Sequence, residues 1–259
     1  MPNHVYTNLE VTGSDADIAA FKAKFCETID GQENCLVFNR VIPMPESLQV
    51  ECGSRSSTGY AIIAGDYKPL FEYPWLKELM SKDSLTPEQI NHMQSSREDF
   101  IAWFTQHQPE TIEIGKTVVA NKETYGYQTW YEWSIANWGT KWDAYNHSVG
   151  ESATHPYVTE HSYVTYFETA WSPAIPVLEA MSEAFPNLSF RMPYADEGGG
   201  FAGVAHAEDG VVTDVDEDWR TVCIHEFGFD ASEFDEEDED DDSGVESVPI
   251  TTDSNVKVS

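Results

Sequence analysis

No stretch of the chain approaches the roughly 20 consecutive apolar residues that a membrane-spanning helix needs. The first residues, Met1-Pro-Asn-His4, lack the basic-then-apolar layout of a secretory signal. Bases are scarce: 14 Lys and Arg stand against 46 Asp and Glu, a formal charge of -32. Such a field repels DNA, RNA and anionic lipid and attracts basic surfaces, so neither nucleic acid nor membrane is expected as a direct partner. Cysteine is scarce as well. Cys26, Cys35, Cys52 and Cys223 show no C-x-x-C spacing, which argues against a disulfide scaffold or a zinc site and for buried or free thiols. The expectation is a soluble, cytoplasmic protein without a cofactor.

What the chain does have is length and aromatic side chains. With 259 residues, 41% hydrophobic content, 8 Trp, 12 Tyr and 13 Phe, it can bury one large core or two small ones, and wholesale disorder is ruled out. The charge is uneven: 20 acids and 11 bases lie up to residue 150, and 26 acids and 3 bases beyond it. Residues 230–242 hold ten acids in thirteen positions. A run of that kind repels itself and cannot bury enough surface to offset chain entropy, so 230–259 is expected to be an acidic, disordered C-terminal tail.

Val5–Val11 alternates apolar and polar residues up to Gly13 and reads as a strand with one buried face. Ser14, with Asp17 three residues on, then caps a helix carrying Ile18, Phe21 and Phe25. Leu36–Ile42 is a second strand candidate, stopped by Pro43 and Pro45. The middle changes period. Thr86-Pro-Glu-Gln89 is a capping box that opens a helix through about Gln106, and about 70–80, 110–122 and 126–137 also favour helix, so residues about 67–142 read as a helical insertion. Strand signals return at Ser162–Thr169, Leu188–Met192, Gly199–His206 and Val211–Val215, with a helix from Ser172-Pro173 to Pro186 and an Asp209-Gly210 hairpin turn. The economical fold is α+β: a ferredoxin-like split β-α-β antiparallel sheet with a large helical insertion, forming one domain over 1–229. Residues 1–42 and 161–215 are expected to share its sheet.

Four segments carry a resemblance: Met1–Tyr6 with Leu9–Ser14, Ile42-Pro-Met-Pro-Glu-Ser47, Asn137-Trp-Gly-Thr-Lys-Trp-Asp-Ala144, and Phe167-Glu-Thr-Ala-Trp-Ser-Pro173. In order and spacing the chain resembles, over about residues 1–215, the plasmid and phage proteins with a YubB-type ferredoxin-like domain. The resemblance implies that fold and a mobile-element protein in a bacterial cell. The family has no established reaction or cofactor, so it brings no catalytic residue with it.

The binding candidates fall in two groups. Asn137, Trp138, Lys141, Trp142 and Asp143, with Trp171, form an aromatic patch in which indole faces could stack on a ligand while Lys141 and Asp143 orient it; the competing reading is an aromatic core with Gly139 ending a helix. Glu208, Asp209, Asp214, Asp216, Glu217 and Asp218 form the acidic group in the folded body. Asp214–Asp218 begins like a calcium loop, but Trp219 stands where a glycine is needed and His225 where a chelating Glu belongs, which excludes an EF-hand. Gly198–Gly203 fits G-x-G-x-x-G but lies between two strands, so it reads as a turn. The eight histidines form no H-x-H or H-x-x-x-H, and no catalytic residue or metal ligand is assigned.

These features lead to an inhibitor that mimics nucleic acid and docks into the basic groove of a host protein, a nuclease or another defence enzyme. A ligand-binding or enzymatic domain built on the Trp-rich patch is the alternative, and an accessory protein whose acidity only confers solubility is a third. Acids in rows about 5–7 Å apart, on the scale of successive phosphates, favour mimicry. A concave pocket of Trp138, Trp142 and Trp171 favours the ligand.

Overall fold

The computed structural model describes residues 3–149 and 162–234. Its elements run β1 (His4–Thr12), α1 (Asp15–Phe25), β2 (Cys26–Ile29), β3 (Gln32–Leu36), α2 (Phe38–Val41), α3 (Ser54–Ile63), α4 (Pro74–Lys82), α5 (Pro87–Ser95), α6 (Arg97–His107), α7 (Pro109–Tyr125), α8 (Trp130–Trp138), β4 (Tyr145–Val149), β5 (Ser162–Ala170), α9 (Ile175–Ala184), β6 (Ser189–Asp196), β7 (Ala202–Glu208), β8 (Val211–Asp216) and α10 (Trp219–Phe227).

Six strands form one antiparallel sheet in the order β4-β5-β1-β6-β7-β8. β1 and β4 run parallel with β5 between them, and β5 and β6 run parallel with β1 between them. These are the two interlocked split β-α-β units of a ferredoxin-like fold, with the β7–β8 hairpin added to one edge. On one face, Val5, Leu9 and Val11 of β1 and Phe167, Phe190 and Met192 of its neighbours meet Ile18, Phe21 and Phe25 of α1 and Leu178 and Met181 of α9. On part of the opposite face, α10 lays Val222 and Cys223 over Ala195 and Ala202. Arg191 bridges from β6 to Glu226 of α10.

Between α1 and β4 the chain builds a second core, in which Ile62, Leu76, Met80, Met93, Phe100, Phe104 and Ile112 of α3 to α7 pack on one another. α3 and α7 touch backbone to backbone. A Cβ at Gly59 would stand 2.5 Å from the Thr111 oxygen and 2.7 Å from the Gly115 Cα. α8 instead joins the sheet core through Trp133 and Trp138.

Four local expectations change. Leu36–Ile42 is no strand of the six-stranded sheet: β3 ends at Leu36 and, among the described residues, pairs with β2 in a separate two-stranded sheet. The chain then closes α2, because the Asp143 carboxylate accepts the Phe38 and Asn39 N–H groups. The place beside β5 goes to β4, whose polar Tyr-Asn-His-Ser-Val pattern, with Asn146 at φ 51°, hides its strand character. The expected helix 86–106 breaks at Ser96, whose extended backbone lets its side chain cap α6 by accepting from Asp99 N. Ser172 does not cap α9, which starts at Ile175; its hydroxyl donates to the Gly139 carbonyl. The Ser14 and Thr86 caps and the Asp209-Gly210 turn form as expected. Most of the acidic tail lies outside the described residues.

Candidate functional site

The patch centred on Asn137–Asp143 divides between core and surface. Gly139, at φ 79°, ends α8 and turns the chain back along β5. There Thr140 Oγ1 donates to the Ala170 carbonyl at 2.8 Å and accepts the Ala170 N–H at 3.0 Å. This clamp lays the end of α8 against the end of β5. Trp138 points inward, 5% exposed, edge-on to Phe38 and Trp133, with its indole N–H on the Ile42 carbonyl at 2.9 Å. Asn137 donates back to the Trp133 carbonyl within its own helix. Asp143 accepts from the backbone of Phe38, Asn39 and Ala144; burial raises its carboxyl above the usual carboxylate range against the pull of those three N–H groups. These three residues organise the fold.

Lys141, Trp142 and Trp171 face outward together. With Trp130, Tyr131 and Cys52 they line an open cleft of about 380 Å³. The Lys141 ammonium lies 4.6 Å from the ring centres of both Trp142 and Trp171 and 5.9 Å from Tyr131, a cation held on aromatic faces. Trp171 sits at φ 76°, fixed by its N–H on the Asn3 carbonyl. A bulky L-residue in that region costs about 1–2 kcal/mol. Trp142 and Trp171 are 36% and 41% exposed.

A polar network adjoins the cleft, reached through the edge contact of Trp142 with Tyr145. The Glu168 carboxylate takes His4 Nδ1 at 3.0 Å, Asn146 Nδ2 at 2.9 Å and the Tyr166 hydroxyl at 3.0 Å. Tyr145 donates to the Thr169 carbonyl and also meets His4 Nδ1. Burial, then the charges of Glu168 and Glu197, push the Tyr145 phenol up to about 12. Burial, then Glu168, also raises Tyr166. Both phenols therefore stay protonated at neutral pH and act as hydrogen-bond donors. His4, Tyr145 and Glu168 escaped the sequence reading because they lie far apart in the chain; the available signal was the polar alternation of β1 and β5.

The acidic group lies at the opposite edge of the sheet. Glu208, Asp209, Asp214, Asp216, Glu217 and Asp218 are all exposed along the β7–β8 hairpin and the start of α10. Glu208 accepts from Ser189 Oγ, and Asp214 accepts from the Tyr194 hydroxyl. Asp218 caps α10 by accepting from Thr221, which holds its carboxyl below the usual range. Among the described residues Asp216 and Glu217 make no such side-chain bond. In the turn between β6 and β7, the Asp196 carboxylate accepts from Gly198 N and Gly200 N, while Ala202 and Gly203 already belong to β7. Among the described residues no group of three or more His, Cys, Asp or Glu is placed to hold a metal ion, and no helix is long and apolar enough to cross a membrane.

No curated protein matches the chain. Among solved structures, the crystal structure of protein api92 from Yersinia pseudotuberculosis is similar at 11% identity, over 84% of this chain and 98% of that one, with a TM-score of 0.41. The matched family segment takes in the aromatic cleft residues from Asn137 onward, Trp171 and the acidic hairpin, while β1 completes the sheet from outside it. Residues 137–243 match the family model described as a ferredoxin-like domain in Api92-like protein, and this part of the chain is similar to that family in sequence and ferredoxin-like in fold.

Proposed function

We propose that this is a non-enzymatic acidic protein of a plasmid or phage, acting in the cytoplasm of a bacterial host, whose charged sheet edge occupies the basic groove of a host nuclease or other defence enzyme. The observation that carries the reading is the acid strip on β8 and its flanks. Asp214 and Asp216 project from one side of the strand, two residues and thus about 7 Å apart, close to phosphate spacing along a nucleic-acid strand. Few cations oppose them. Between residues 162 and 234 the bases are Arg191 and Arg220, and Arg191 is bridged to Glu226. Acids held by a sheet need no ordering on binding, which favours fast, steered association.

The test is capture of partners from a bacterial lysate at low and at high salt, with duplex DNA as competitor. A partner released by salt and displaced by DNA is expected, since exposed charges are screened beyond about 8 Å at physiological ionic strength. Asp216→Lys with Glu217→Lys should slow association more than removal of residues 235–259. A complex that survives high salt and leaves the partner's DNA binding untouched ends the mimicry reading.

A further inference from the structure

The aromatic cleft already holds a charged group, and the surroundings of that group indicate what the cleft lacks. Lys141 Nζ rests on the Trp142 and Trp171 faces, and among the described residues no carboxylate is bridged to it. Cations in two other clefts are different. Arg55, beside Trp75, is bridged to Glu51 and Glu110, and Arg191, on the sheet face, is bridged to Glu226. In a chain with 46 acids, a cleft lysine that rests on aromatic faces, with no carboxylate bridged to it among the described residues, is a positive charge open to a ligand at contact distance.

Trp171 adds an independent observation. It is a large apolar side chain, 41% exposed and held at φ 76°, and both features work against folding stability. Backbone strain of this kind gathers where a side chain is being presented to a ligand. Trp133 and Trp138, by contrast, are buried.

We infer that the cleft binds a small ring-bearing anion. The ring stacks on the Trp142 or Trp171 indole, and the anionic group takes the Lys141 ammonium that now rests on those faces. This site stands apart from the acidic edge and does not depend on the partner proposed for it. The mean field of the protein opposes any anion, so the preference must come from contact with Lys141 and be lost in a neutral analogue. A uronate residue of an acidic saccharide and a nucleoside monophosphate share this chemistry.

The experiment is calorimetric titration of the full chain with glucuronate and with AMP, each against its neutral counterpart, glucose or adenosine, while the indole N–H resonances are followed by NMR. At least one of the two anions is expected to bind saturably, about tenfold or more tighter than its neutral counterpart, with shifts centred on Trp142 and Trp171. Binding of AMP alone identifies a nucleotide source; binding of glucuronate alone identifies an acidic saccharide. Lys141→Met keeps the alkyl stem on the indoles and should abolish the preference for the anion. Trp171→Gly relaxes the left-handed backbone, so it should abolish binding while the melting temperature holds or rises. Equal affinity for charged and neutral probes, no saturable binding of either anion up to about 10 mM, or an unchanged anion affinity in Lys141→Met overturns the inference.

Discussion

The helical insertion and the β7–β8 edge use charge in opposite ways. In and beside the helices α3 to α7, acids face bases at short range: Glu51 and Glu110 meet Arg55, Glu72 meets Lys77, Glu78 meets Lys82, and Glu113 meets Lys116. Along the edge, acid follows acid through Asp214, Asp216, Glu217 and Asp218. Exposed pairs contribute at most about 1 kcal/mol each, so neither pattern is needed to hold the fold. The two cores do that. What the contrast teaches is that the charge of this chain is unevenly arranged: one region pairs many of its acids with nearby bases, and the other sets acids side by side along a strand and the turn into α10.

The largest expected effects separate the two cores. Trp138→Ala removes a buried indole from the sheet core and should cost about 3–5 kcal/mol in urea unfolding. Its amide hydrogen exchange should accelerate in β1 and β5 before α6 and α7. Gly59→Ala strikes the second core of α3 to α7 instead, where the new methyl meets the backbone of α7. A loss of about 1–3 kcal/mol is expected, with accelerated exchange confined to α3 and α7. If both variants loosen both regions equally, the two cores are one cooperative unit.

A smaller effect distinguishes the regions by pH. In the insertion, His107 bonds first to the Trp103 carbonyl and then to Asp83, which raises its folded pKa. Its stabilisation is fully present below the ordinary histidine value of about 6.5 and is lost as pH rises through the raised folded value. In the sheet, burial lowers the folded pKa of His147, against the Leu36 carbonyl that accepts from its ring. Its contribution is present above about 6.5 and is lost as pH falls through the depressed folded value. Between about pH 8 and 5, exchange protection corrected for intrinsic rate should therefore rise around α6 and fall around β4. His107→Gln and His147→Gln should each remove only their own trend.

The smallest stability effect belongs to the edge. Asp216→Asn with Glu217→Gln should move stability by no more than about 0.5 kcal/mol, because both side chains are exposed and make no side-chain bond among the described residues. Loss of partner capture at unchanged stability would sharpen the contrast between a folding role and a binding role for charge.

Much of this architecture is local and therefore legible in the chain. Ser14 and Thr86 announce their helices because a side-chain oxygen within three residues of the amide it caps needs no tertiary help. Asp209-Gly210 turns its hairpin because both positions tolerate positive φ. Val5, Leu9 and Val11 mark a buried strand face because alternate side chains of a strand point to the same side. β4 was not legible. Its five residues lack an apolar period, and they become a strand because β5 offers them backbone partners.

The candidate site divides along the same line. Composition established the acidity and the abundance of tryptophan, and short-range patterning established the ferredoxin-like alternation of strand and helix, since these depend on residue type and short spacing. Which tryptophans are core and which are presented was decided in three dimensions. Trp138 and Trp142 lie four residues apart around Gly139, yet one is buried against Phe38 and the other opens onto Lys141. Asp143 reads as a ligand-orienting acid in the chain, but long-range folding spends it on the amides of Phe38 and Asn39. Trp171 joins Lys141 because Thr140, together with the Lys141 N–H on the Ala170 carbonyl and the Ser172 hydroxyl on the Gly139 carbonyl, clamps the end of α8 to the end of β5. Contacts across 30 or more residues depend on how whole elements pack, and no local pattern of residues encodes that distance.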